Sequence, residues 1–222
     1  MKILYVVGAY GRRYIANEIH RELLIEFARR GHNCLVYAGV TPTELGDERV
    51  SYEDGPIRVQ RRLVDARGTD KVATEIGRRV LHYPRFLPLL HGLRALLAQQ
   101  PDIDVIHADA VYPVGALTAL AALGHSAALV PSIHGGDLLA YPGYGYGRFR
   151  VARALARWTF ARSTLVRANS EPMAQRAVEL GCDPAKLQPI LVNIGDRFFD
   201  ESIPLPKRRA QARAVVCARH GL

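Results

Sequence analysis

Two short segments of this 222-residue chain hold side chains able to work on a polar ligand. They are His134-Gly135-Gly136-Asp137 and His107-Ala108-Asp109, the latter followed by Tyr112 and Pro113. An imidazole beside two glycines and a carboxylate can donate to hydroxyl or phosphate oxygens, and the glycines leave backbone N–H groups uncovered. A third segment, Gly8-Ala9-Tyr10-Gly11, precedes a helical pattern, where glycines let backbone approach an anion at a helix N-terminus. His134 is thus the candidate catalytic residue, and Gly8, Gly11, His107, Asp109, Tyr112, Gly135 and Asp137 are candidates for substrate binding. The competing reading of His134 is a structural histidine that caps its loop.

All three segments follow short apolar runs. Lys2–Val7, Cys34–Ala38, Ile57–Val64, Val105–His107, Ala127–Ile133, Thr164–Ala168 and Leu187–Val192 read as strands, and the composition of the first suits burial on both faces. Helical patterns alternate with them at 15–30, 73–100, 114–123, 148–161 and 171–180. In the first of these Ile15, Ile19, Leu23 and Phe27 form the apolar stripe, and Pro84 and Pro88 break the second. This rhythm predicts an α/β fold, a doubly wound, mostly parallel sheet with helices on both faces. Such sheets bind ligands beyond the carboxyl ends of their strands, where the three segments fall.

Several classes are disfavoured. The first glycines do not spell G-x-G-x-x-G and no acidic residue ends the second strand, which argues against a dinucleotide site. Cys34, Cys182 and Cys217 are far apart and odd in number, so buried reduced thiols are expected rather than zinc or a disulfide framework. The N-terminal apolar run is too short for a signal peptide, and the stretch 114–124 falls short of the ~20 residues of a bilayer span. A formal charge of +9 favours anionic partners, without any nucleic-acid-binding module in view.

The order of motifs resembles the N-terminal domain of the family-four glycosyltransferases of GT-B fold, a retaining, metal-independent group. The likeness is carried by Gly31-His32, Ile106-His107-Ala108-Asp109, His134-Gly135-Gly136-Asp137, Ala168–Cys182 and Asn193-Ile194-Gly195-Asp196, and spans nearly the whole chain. Tyr14–Ile19 and Tyr112–Gly115 are similar to members that build bacterial exopolysaccharides and teichuronic-type polymers. The resemblance implies two facing Rossmann-like domains, with the nucleotide-sugar held mainly by the second and the acceptor by the first. It places His134 at the transfer site, Gly8 and Gly11 near the donor phosphates, and Arg219 on the diphosphate. This chain departs from the pattern after its first strand, where the glycine doublet is absent, at Ala218 in place of glycine, and in lacking the E-x7-E segment.

The resulting expectation is a retaining glycosyltransferase that moves a sugar from a UDP- or GDP-sugar substrate, without a cofactor, to a carbohydrate or lipid-linked acceptor. Residues 1–203 would form the acceptor-side domain, 204–213 a basic linker, and 214–222 the first strand of a missing donor-binding domain, leaving the fragment inactive alone. A cytoplasmic protein, peripheral at the inner membrane face, fits two basic amphipathic stretches. One sets Arg150, Arg153 and Arg157 opposite Val151, Leu155 and Trp158; the other spans 78–97. Ordinary packed helices with a solvated arginine face are the competing reading. The alternatives are a stand-alone nucleotide- or polyanion-binding module and a GT-B nucleotide-sugar epimerase.

Overall fold

A computed structural model describes residues 1–11, 17–140 and 145–190, together with 210, 213–214 and 217–218. The chain divides into two units, Met1–Val192 and Asn193–Leu222.

The first unit is built on one eight-stranded sheet. Its strands are β1 (Lys2–Ala9), β2 (Asn33–Val40), β3 (Ser51–Asp54), β4 (Ile57–Leu63), β5 (Val105–Ala108), β6 (Ala128–Ile133), β7 (Val166–Ala168) and β8 (Leu187–Pro189). They lie in the order β3-β4-β2-β1-β5-β6-β7-β8, all neighbours parallel except the antiparallel β3–β4 hairpin. The helices are α1 (Asn17–Arg29), α2 (Pro42–Leu45), α3 (Lys71–Val80), α4 (Phe86–Gln99), α5 (Ala116–Ala121), α6 (Arg150–Arg162) and α7 (Glu171–Glu179).

Alternation along β1 explains its unbroken apolar run. Leu4 and Val6 join one core with Leu89 and Leu93 of α4 and Leu117 of α5, while Tyr5 and Val7 join the opposite core with Leu24 of α1. A strand covered on both faces can carry no polar stripe. The order of strands reverses at β1, which pairs with β2 on one side and β5 on the other. The carboxyl ends of β1 and β5 therefore flank the switch point where open α/β sheets keep their ligand crevice.

Some expectations need correction. β3 was not expected, because Ser51-Tyr52-Glu53-Asp54 is polar and lies at the sheet's edge. In α1 the deepest residue is Leu24, fully buried, whereas Ile19 is 41% exposed. Residues spaced strictly by four drift about 40° round the helix at each step, so a 15-19-23-27 line winds off the buried face. Pro88 does not break a helix; it occupies the first turn of α4, where backbone N–H groups have no intrahelical partner. The break falls between α3 and α4, at Leu81–Arg85.

Cys34 and Cys182 are buried free thiols, as expected, whereas Cys217 is half-buried. Burial pushes the Cys182 thiol up to about 11 and raises that of Cys34, keeping both protonated. Most apolar residues of the two basic stretches serve the first unit's own core, although Val80 is 56% exposed. Phe86 and Leu93 are buried, and Leu155 and Trp158 pack against the same cluster. Two arginines of α6 are tied down as well, Arg153 to the Gly147 carbonyl at 2.8 Å and Arg157 to the Leu180 carbonyl at 3.2 Å. No helix of the described residues is long and apolar enough to cross a membrane.

In the second unit Ala210, Arg213, Ala214, Cys217 and Ala218 are helical, not the strand expected from 214 onward. Alanine and arginine favour a helix by themselves, while a strand needs neighbours to pair with. Arg219 and the Asn193–Asp196 motif lie outside the described residues.

Candidate functional site

The exits of β1, β5 and β6 assemble a polar network at the switch point. Asp109 is its hub. It follows β5, and its amide donates to the Val6 carbonyl of β1 at 2.9 Å, fixing where its carboxylate stands. Oδ1 of Asp109 accepts from His134 Nε2 at 3.1 Å and from the Tyr5 hydroxyl at 3.1 Å, and His20 Nε2 lies 3.5 Å away. The Tyr5 oxygen also pairs with His20 Nδ1 at 2.7 Å. Every proton is placed if His20 Nδ1 donates to the Tyr5 oxygen while Tyr5 donates to Asp109.

Electrostatics follows from this geometry. Burial acts to lower His134, but the hydrogen bond and charge of Asp109, with the charge of Asp137, outweigh it and raise its pKa. Burial acts to raise Asp109, and the His134 hydrogen bond with the charges of His20 and His134 reverses this, so the carboxyl stays below its ordinary value. An ionised Asp109 holding the Nε2–H of His134 leaves Nδ1 as the second ring nitrogen. The side chain is 35% exposed. Such a ring can accept from a sugar hydroxyl when neutral, and when protonated can donate to an oxygen gaining negative charge.

The loop that presents His134 is shaped by Asp137. Its Oδ1 accepts from the His134 amide at 3.2 Å and its Oδ2 from the Val111 amide at 3.0 Å, which ties the β6 exit to the β5 exit. Asp137 is buried and its pKa is raised, burial outweighing those hydrogen bonds. It shapes the loop and is closed to a sugar. Gly135 sits at φ +94°, a left-handed backbone that suits glycine, whereas a side chain at Gly136 would meet nothing within 4 Å. The open space expected beside His134 is therefore at Gly136.

Other candidates take different places. His107 is buried with Nε2 2.8 Å from Ser132 Oγ, its ring 4.8 Å from that of Tyr5; it supports the network from beneath. Burial lowers its pKa to about 4, so it stays neutral. Tyr112 is wholly buried, follows β5 through a cis peptide bond to Pro113, and donates to the Leu81 carbonyl. It is a core residue, because the chain after Asp109 turns inward. Gly8 still belongs to β1, and a side chain there would lie 3.0 Å from the Tyr83 hydroxyl, so protein fills that space. Gly11 is buried. The residues missed by sequence reading are Tyr5, His20 and Ser132. A polar ring in an aliphatic strand and a histidine on the inward side of α1 were the only signals available. Among the described residues no group of three or more His, Cys, Asp or Glu side chains is placed to hold a metal ion.

Similar proteins bear on this arrangement. Sucrose-phosphate synthase from Thermosynechococcus elongatus matches at a TM-score of 0.63 and 13% identity, over 96% of this chain and 52% of its own. The Anabaena protein HepE, solved with UDP and glucose, matches at 0.58 and 18%, over 90% of this chain and 46% of its own. UDP-GlcNAc 2-epimerase from Methanocaldococcus jannaschii matches at 0.55 and 12%, over 86% and 45%. The chain thus spans about half the length of these solved structures, and at such identities the likeness shows the fold alone, one half of a GT-B architecture. No curated protein matches. The model of the family described as Glycosyltransferase Family 4 covers residues 19–191, which takes in most of α1 with His20, Asp109 and the His134–Asp137 loop. The match extends over most of the sequence, and the chain belongs to Glycosyltransferase Family 4.

Proposed function

We propose that this chain is the acceptor-side half of a retaining glycosyltransferase that takes a hexose from a UDP- or GDP-sugar. The observation that carries the reading is the His134–Asp109 pair, bridging the exits of β6 and β5 beside the switch point with its imidazole partly open to solvent. In the reaction the bond from the anomeric carbon to the diphosphate oxygen breaks and one to the acceptor hydroxyl oxygen forms on the same face. The hydroxyl proton passes to the departing phosphate oxygen. Such a step needs positioning of the hydroxyl and positive charge near the leaving group more than a protein nucleophile. His134, held toward its protonated form by Asp109, serves the first and contributes to the second.

The nucleotide class draws support from HepE, whose structures contain UDP and UDP-glucose. Arg219 on the diphosphate, a carbohydrate or lipid-linked acceptor and a cytoplasmic site at the inner membrane face belong to the same proposal. Because most apolar residues of the basic stretches pack inward, membrane contact would rest mainly on arginine charge, with Val80 the exposed large hydrophobic of the 78–97 stretch. The test is His134→Ala in a protein carrying both halves. The expected result is a kcat lower by about 10²-fold with little change in Tm. A normal kcat in the folded fraction with a lowered Tm would make His134 a structural cap. The epimerase reading has relatives of the same fold behind it. It predicts turnover of a UDP-sugar to its epimer with no acceptor present, which the same assay reports.

A further inference from the structure

A second open feature lies beside the His134 loop. A cleft of about 470 Å³ is lined by Arg78, His82, Gly136, Gly145, Tyr146, Arg148 and Phe149. That volume falls in the range of small-molecule sites. Gly136 belongs both to this cleft and to the loop that presents His134, two residues away in the chain.

The walls are fixed. The Tyr146 amide donates to the Gly136 carbonyl at 2.8 Å, and the Gly147 amide to the Leu139 carbonyl at 3.1 Å, closing the loop on itself. A side chain at Gly147 would run into the Leu138 carbonyl oxygen, so the two backbones touch there. Tyr146 stacks edge-on against the buried Tyr112 at 5.1 Å. His82 and Phe149 stack nearly parallel, their ring centroids 3.5 Å apart at 15°, and the Arg148 guanidinium lies 4.6 Å over the Phe149 ring. His82 is, among the described residues, the one non-glycine at positive φ, +53°. Glycine or asparagine ordinarily takes that place just past a helix end. A histidine there accepts strained backbone and adds a ring to the cleft.

The charge of the cleft is one-sided. No carboxylate is among its described lining residues. Arg78 is paired with Glu75, which also takes Arg79, leaving that trio one positive charge in excess. Arg148 makes no ion pair among the described residues and is exposed. Its guanidinium is therefore open to an anionic ligand group. A bare anion would not use the Tyr146 ring, against which a sugar ring can lie.

Resting on the acceptor-side reading above, we infer that this cleft holds an anionic saccharide, with its carboxylate or phosphate on Arg148 and its ring against Tyr146. A uronic acid and a sugar phosphate share that chemistry.

The test is an NMR titration of the isotope-labelled chain, following the amides of Gly136, Gly145 and Tyr146. The probes are methyl glucuronide, glucose 6-phosphate, methyl glucoside and inorganic phosphate. The expected result is that one anionic sugar binds at least about tenfold more tightly than both the glucoside and inorganic phosphate. Whether glucuronide or sugar phosphate wins tells a carboxylate from a phosphate ligand. Arg148→Gln, at an exposed position, should weaken that binding by about tenfold or more. His82→Gly, which suits the left-handed backbone, should keep the fold and also weaken it. Equal binding of the neutral glucoside, equal binding of inorganic phosphate, no shift from any probe at millimolar concentration, or an unaffected Arg148→Gln would each overturn the inference. The enzymatic reading is tested separately, by transfer in the His134→Ala variant of a protein carrying both halves. Loss of transfer in that variant alongside a failed titration sinks only this inference, whereas a successful titration without any transfer activity sinks only the enzymatic reading.

Discussion

The exits of β1 and β6 lie at the same edge of the sheet, and both carry glycines, yet they are built on different terms. At β1 the space beside Gly8 is taken by the Tyr83 hydroxyl, the Gly8 carbonyl accepts from Arg85 at 3.4 Å, and Tyr10 is buried with its hydroxyl on Asp54 at 3.0 Å. At β6 the space beside Gly136 is empty, and the loop is shaped by a buried carboxylate and supported by a neutral buried histidine. A glycine after a strand marks a place where something approaches the backbone closely. Its surroundings decide whether that something is the protein or a ligand.

The comparison implies that the β6 side depends on protonation and the β1 side on packing. The largest expected effect is on pH dependence. His107 has a folded value of about 4 against about 6.5 unfolded, so the folded state binds fewer protons between them. Its contribution is fully present above pH 6.5 and is lost as pH falls toward 4, a change of about 3 kcal/mol. Urea midpoints measured across that range should show the slope, and His107→Gln should flatten it while Gly8→Ala leaves it intact. A slope unchanged in His107→Gln would remove protonation from the account of the β6 side.

Next in size is Asp137→Ala. It strips two backbone donors of their acceptor, at a cost of about 2 kcal/mol after allowing for the carboxylate's own burial. For a domain of this size that is a fall in Tm of roughly 4–8 °C, readable by circular dichroism. An unchanged Tm would mean the loop holds its shape by other means. The smallest pair sharpens the contrast directly. Gly8→Ala presses a methyl against Tyr83 and should cost about 1 kcal/mol, while Gly136→Ala should stay within about 0.5 kcal/mol of the parent. If the two cost the same, the β6 exit is as closed as the β1 exit.

The difference between the two exits also marks what the sequence could disclose. Leu4–Val7 and Leu35–Ala38 declare themselves as strands because burial on both faces demands an apolar run, and the sheet follows from their rhythm. His134 and Asp109 are legible because they stand just past such runs. Tyr112 and Asp137 stand there too, yet one turns into the core and the other onto backbone amides, a choice made by the path of the chain after the strand. Tyr5 and His20 enter the site because β1 alternates and α1 crosses that face. Neither fact is local. Nor is β3, whose polar residues become a strand only through pairing with β4.

The position of β1 has a consequence for the newborn chain. It is the first of the eight strands to be made but lies in the middle of the sheet, joined on one side to β2 and on the other to β5. Its second side stays unpaired until Val105–Ala108 has left the ribosome, roughly 70 residues after β2, or about 4–14 seconds at ordinary synthesis rates of about 5–20 residues per second. For that interval the apolar ladder Ile3–Val7 is an open edge able to pair with any passing strand. Yield in a cell should therefore respond to translation speed and chaperone supply between residues 40 and 108 more than to the stability of the finished domain.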